Sequence, residues 1–184
     1  MRHLFLAIAL LLSAAPLAAA DLRIDTSRSR AEFSVRLLWV STVAGSFDGI
    51  RGDVRVDPKT NTAIVRADLE TESIHMESAR LRRWVLAPEF FDSEHHPHIH
   101  FESLPTPMGM LTAGGTIEGS LTLRGVTRPV SFRLSPNHCT DDALAGCILQ
   151  LQGAIDRTEF EMRGRRGALS DRVNLGMAIV LAKP

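Results

Sequence analysis

The chain has 184 residues, with 21 basic and 21 acidic side chains, 45% apolar residues and 2 cysteines. That length suits one domain with a substantial core. Zero formal charge excludes the strongly basic balance of a nucleic-acid binder and that of a strongly cationic membrane protein.

In chain order, Arg2 and His3 lead into an apolar run over residues 4–12, and Ala18-Ala19-Ala20 precede Asp21. This is the pattern of a signal peptide over residues 1–20, which places the remaining chain in the periplasm. The run is too short to span a bilayer, which takes about 20 helical residues. Residues 21–184 then form one domain, with 20 basic against 21 acidic side chains.

Most of that domain alternates with the period of a half-buried strand. Ala31, Phe33, Val35, Leu37 and Trp39 share one face; Ala63, Val65, Ala67 and Leu69 share another; Val173, Leu175, Met177, Ile179 and Leu181 share a third. Further strands are expected over residues 50–56, 98–103, 116–123, 130–134 and 148–155, with turns at Asp48-Gly49 and Asp57-Pro58. Leu121 and Leu123 lie on one face ahead of a tight turn at Arg124-Gly125, where glycine supplies a positive φ. Residues 74–86 break the alternation. Leu81, Trp84 and Val85 fall on one helical face, Ser73 is placed to cap it and Pro88 to stop it. The expected architecture is an antiparallel sandwich or barrel with one short helix, and a barrel of about eight strands holds either packed side chains or one ligand. Met76, Met108, Met110, Met162 and Met177 suit walls that adapt to an apolar chain, or simple core filling.

Residues able to carry chemistry are few. Cys139 and Cys147 bracket residues 140–146, and in an oxidising compartment they are expected to form a disulfide. His95, His96, His98 and His100 cluster, with His98 and His100 on one strand face, a candidate arrangement for a transition metal. No Gly-x-Ser-x-Gly elbow and no paired carboxylates specify a reaction. Arg80, Arg82 and Arg83, and again Arg163, Arg165 and Arg166, could meet phosphate oxygens or an anionic membrane headgroup at a barrel mouth, or form solvated surface.

Three segments carry a resemblance: Phe33-Ser-Val-Arg-Leu-Leu-Trp-Val-Ser-Thr-Val-Ala-Gly-Ser-Phe47, Phe90-Phe-Asp92, and Gly119-Ser-Leu-Thr-Leu-Arg-Gly-Val-Thr-Arg-Pro-Val130. Ile155-Asp-Arg-Thr-Glu-Phe160 and Leu169-Ser-Asp-Arg-Val173 extend it to the C-terminus. Together they resemble the YceI-like polyisoprenoid-binding family. The resemblance implies a lipocalin-like antiparallel barrel that is exported, is not an enzyme, needs no cofactor and holds an isoprenoid lipid. It also implies wall positions at Phe33, Val35, Trp39, Phe47, Phe90, Phe91, Leu121 and Leu123, and Trp84 on the helical face is a ninth candidate. The family's usual histidine and basic residue are replaced here by Leu37 and Ala44, so the headgroup is not carried over. Three readings follow: a periplasmic lipid carrier with transient membrane contact, a metal-binding or metal-dependent barrel using the histidines, and an interaction module with a filled barrel. Oligomeric state is set by none of them.

Overall fold

The computed structural model of the chain describes residues 22–38, 40–139, 144–165 and 167–183. The region expected as a signal peptide, together with Trp39 and Arg166, lies outside the described residues.

Twelve segments join one sheet: β1 (Leu22–Ile24), β2 (Arg30–Leu37), β3 (Ser41–Phe47), β4 (Arg51–Asp57), β5 (Thr62–Glu70), β6 (Ile74–Met76), β7 (His98–Ser103), β8 (Thr106–Pro107), β9 (Gly115–Leu123), β10 (Val126–Leu134), β11 (Ile148–Asp156) and β12 (Leu169–Ala182). The pairing registers join four couples of segments into single bent strands. Thus β2 pairs β3 while β1 pairs β4, and β4 pairs β5 while β3 pairs β6. Likewise β7 and β8 both pair β5. Eight strands remain, each beside its neighbours in sequence, and β12 closes the ring against both β1 and β2. The alternation of the sequence therefore becomes a closed antiparallel barrel, the arrangement that leaves no long unpaired edge.

The hairpin between β9 and β10 turns at Arg124 (φ 53°) and Gly125 (φ 72°), both left-handed as a two-residue type I′ turn requires. It lies at one end of the barrel, the mouth, with the β2–β3 hairpin, residues 77–97 and residues 157–168. At the opposite end, the base, lie a one-turn helix α2 (Met110–Ala113), which was not legible as an element, and the bonded Cys139 and Cys147.

The helix expected over residues 74–86 starts later. Residues Ile74–Met76 pair with β3, and the helix proper is Ala79–Leu86, here α1. Its cap is Ser78, not Ser73: the Ser78 hydroxyl accepts the Leu81 N–H at 3.2 Å. The sheet edge offered by β3 captures residues that local periodicity left undecided. The C-terminal end falls at Leu86, two residues before Pro88, where Val85 and Leu86 carbonyls accept the N–H groups of Phe91 (3.0 Å) and Ser93 (3.1 Å).

The core has a base cluster around Val54, Leu111, Ile117, Leu134, Leu149 and Leu181, and mouth clusters around Phe33, Phe47, Val85, Leu121, Phe160 and Phe90. Cys139 and Cys147 are bonded, with their Cα atoms 6.1 Å apart. Between them Leu144 is buried in the base cluster, so the bridge holds an apolar plug against the open end of the sheet. Replacing both cysteines by serine should lower stability by about 2–3 kcal/mol through the freed loop entropy. The expected fall in melting temperature is roughly 5–10 °C, read by circular dichroism, and a reductant should lower the native protein to the same value.

Candidate functional site

Inside the barrel lies a cavity of about 180 Å³. Its lining runs from Leu111, Leu149 and Leu181 at the base to Trp84, Phe90 and Met162 at the mouth, and apart from Glu32 and Arg157 it is apolar. Of the nine wall positions expected from sequence, Phe33, Val35, Phe47, Trp84, Phe90, Phe91, Leu121 and Leu123 line it. Trp39 lies outside the described residues. Phe33, Phe47 and Phe91 form a triangle with centroids 5.6 to 6.1 Å apart. Trp84 meets Phe90 edge-on at 4.5 Å.

Three inward-facing glycines let rings lie against backbone. A Cβ on Gly45 would fall 2.7 Å from the Phe33 ring, and one on Gly153 would fall 2.6 Å from Phe132. Gly119 stands in the same relation to Phe101. Small and large positions thus alternate around the taper of the wall.

Arg157 was not singled out from sequence, and it organises the mouth. It is 1% exposed, and all five of its guanidinium N–H groups are used. Nε donates to the Ser170 carbonyl at 2.9 Å; Nη1 donates to the Met162 and Gly164 carbonyls at 2.6 and 2.9 Å; Nη2 donates to the Leu169 carbonyl and to Asp171 Oδ1 at 3.1 and 3.0 Å. The register between β12 and β2 slips between Leu169 and Val173, which leaves residues 170–172 without partners on β2. Arg157 satisfies carbonyls at that slip and ties them to the loop over residues 161–168. That loop reaches the helix side of the mouth: Gly164 N–H donates to the Glu89 carbonyl at 3.1 Å, and the Arg165 guanidinium lies 5.1 Å above the Trp84 ring. The only sequence signal was the wording Ile155-Asp-Arg-Thr-Glu-Phe160, in which Asp156 takes the Thr158 N–H at 2.8 Å to set the turn.

The histidines are divided. His95 Nδ1 lies 2.8 Å from Asp92 Oδ1, His96 Nε2 lies 3.9 Å from Asp92 Oδ2, His98 is exposed, and His100 Nδ1 is 2.8 Å from Asp68 across β5. Among the described residues no three histidine, cysteine or carboxylate side chains converge on a metal position. The metal alternative has no geometric support in this arrangement.

The pattern of a YceI-like domain matches residues 22–181. The chain belongs to the YceI-like family. It is 28% identical to a UPF0312 protein of Pseudomonas putida strain W619, across 97% of this chain and 96% of that protein. It is 29% identical to one of Pectobacterium carotovorum strain PC1, across 94% and 92%. Among solved structures, Burkholderia cenocepacia BcnA superposes with a TM-score of 0.67 at 18% identity, covering 87% of this chain and 99% of that one. A polyisoprenoid binding domain from Saccharophagus degradans gives 0.65 at 12% identity, covering 90% and 99%. These likenesses at low identity share the barrel, and the YceI-like domain spans every strand described above except the last residue of β12, Ala182.

Two measurements test the mouth. Arg157→Leu strands four carbonyls and a carboxylate, so it should destabilise the fold by about 3 kcal/mol or more in urea unfolding; Arg157→Lys, lacking the planar fork, should fail to restore it. The Asp92 carboxyl is held below its ordinary value, chiefly by its hydrogen bond to His95, and His95 is raised above its ordinary 6.5 by the same bond. The contribution of His95 is complete below about pH 6.5 and disappears as pH rises through its raised folded value. That of Asp92 is complete above about pH 4 and disappears as pH falls through its lowered one. An NMR titration should place the His95 midpoint above 6.5, and Asp92→Asn should bring it down.

Proposed function

We propose that this protein is a periplasmic, non-catalytic carrier that takes the hydrocarbon of a polyisoprenoid or similar long-chain lipid into its barrel. The supporting observation is a cavity walled by apolar side chains whose one buried cation, Arg157, has every donor engaged. An apolar chain leaving water gains about 25 cal/mol per Å² buried and asks for no polar partner. The polyisoprenoid binding domain with the same fold supports this class of ligand, and the disulfide and the N-terminal apolar run support export. Phe33, Val35, Phe47, Trp84, Phe90, Phe91, Leu121 and Leu123 are the proposed contacts.

The cavity's 180 Å³ is close to the roughly 150 Å³ that admits benzene. It is below the roughly 300–1,000 Å³ of pockets for drug-sized ligands. A long chain therefore enters only as the wall yields. Met162 and Met177, both in the lining, are unbranched and can swing without breaking backbone hydrogen bonds.

Protein purified from its native compartment without detergent should release a stoichiometric isoprenoid or long-chain lipid on organic extraction and mass spectrometry. Leu175→Trp, which fills cavity space from β12, should reduce retention by about tenfold or more at a stability cost of roughly 1–3 kcal/mol. An empty extract together with no uptake of a fluorescent apolar probe would overturn the carrier reading.

A further inference from the structure

Four large apolar side chains stand well out of the surface: Leu38 (59% exposed), Val40 (86%), Leu104 (56%) and Ile148 (48%). Leu104 and Ile148 are separate residues at the base. Leu38 and Val40 occupy the tip of the β2–β3 hairpin at the mouth, beside the end of the cavity. Leu38 is also the one apolar residue among the described non-glycine residues with a left-handed backbone, at φ 51°. A bulky residue in that region is strained, and an exposed leucine gains nothing from burial. Both costs fall on the same residue, and its side chain is in none of the apolar clusters of the barrel.

The surroundings of the tip indicate what would cover it. Leu38 N–H donates to the Ala168 carbonyl at 2.7 Å, which joins the tip to the loop over residues 161–168 as one surface. That loop exposes Arg163 and Arg165, and Arg36 is exposed on β2 just below the tip. The mouth segments also expose Glu77, Glu89, Glu94, Glu159 and Glu161, together with Arg80 and Arg83, while Asp171 is paired to Arg157. Three arginine guanidiniums, of Arg36, Arg163 and Arg165, thus stand with two projecting apolar side chains at the tip and its adjoining loop. Apolar insertion combined with basic side chains is what peripheral binding to a bilayer requires, since neither signal alone holds. Arginine in addition suits phosphate oxygens geometrically.

We infer that the mouth of the barrel docks on an anionic lipid bilayer, with Leu38 and Val40 entering the headgroup layer and Arg36, Arg163 and Arg165 meeting lipid phosphates. Docking there points the end of the cavity at the membrane. The inference deepens the carrier reading, and it is tested on vesicles without isoprenoid so that docking and cargo binding can fail separately.

The test uses the chain beginning at Asp21, because every described strand and helix lies between Leu22 and Ala182. Flotation compares vesicles of phosphatidylcholine alone with vesicles that also contain phosphatidylglycerol. Binding should be at least about tenfold stronger to the anionic vesicles and should fall steeply in roughly 1 M salt, where the screening length is only about 3 Å. Leu38→Asp with Val40→Asp, and separately Arg163→Glu with Arg165→Glu, should each reduce it by about tenfold or more. Leu104→Asp, at the opposite end, should leave it unchanged. Leu38→Gly keeps the experiment decisive if the double aspartate fails to fold: glycine relieves the positive φ, so melting should be unchanged or higher while binding falls. Equal binding to both vesicle types, no binding, full binding by a folded Leu38→Gly variant, or an equal loss in Leu104→Asp would overturn the proposal.

Discussion

The hydrogen bonds along one edge of β12 are the constraint on which the rest of the molecule depends. That strand is 14 residues long, pairs β11 on one side, and on the other meets β2 near the mouth and β1 near the base. Without the second set of bonds the chain is an open meander with two long edges, and its apolar face has no inside. With them, alternation acquires a meaning at every position: one residue of each pair faces the enclosed space and the next faces water. The bends that split the strands into shorter segments follow from the same closure. A ring of eight strands must curl, and chain breaks such as the one at Gly49, with φ 75°, let the strands turn without losing their neighbours.

Closure also creates the problem that Arg157 solves. Where β12 slips against β2, carbonyls lose their ladder partners beside an apolar interior, and an unsatisfied buried carbonyl is costly. A single planar guanidinium reaches four carbonyls and a carboxylate from one position. The charge is thereby turned toward the backbone and spent there. Arg157 touches the cavity without making it polar, so a cation in the wall coexists with a hydrocarbon-like interior.

The parts that sequence revealed are those set by local period. Phe33 and Val35, Leu121 and Leu123, and Val173, Leu175 and Met177 alternate strictly, and all of them line the cavity. Residues 74–76 were misread because three residues are too few to display a period, and their partner β3 lies far away in the sequence. Arg157 was illegible for a different reason. An arginine in a polar-looking turn is ordinarily solvated, and its burial depends on a register slip in a strand that begins a dozen residues later. The histidines show the reverse failure. They are close in sequence, but a turn and a strand send them toward different carboxylates, Asp92 and Asp68. Proximity along the chain suggested a cluster that the sheet geometry divides.

The distribution of polarity inside and at the rim sets which way a bound amphiphile must lie. A charged or strongly polar headgroup moved into the interior would lose its water and find no free N–H on Arg157, whose five donors are all engaged. A hydrocarbon tail meets the opposite balance. Only one orientation avoids both penalties: tail toward Leu111 and Leu181 at the base, head at the mouth near Trp84 and the arginine-bearing loop. At the base Leu111 and Leu144 are buried in one apolar cluster, and the disulfide ties the chain beside it. The cavity lining is therefore apolar toward the base and opens beside Trp84 at the mouth, and this asymmetry gives any amphiphile it holds a direction.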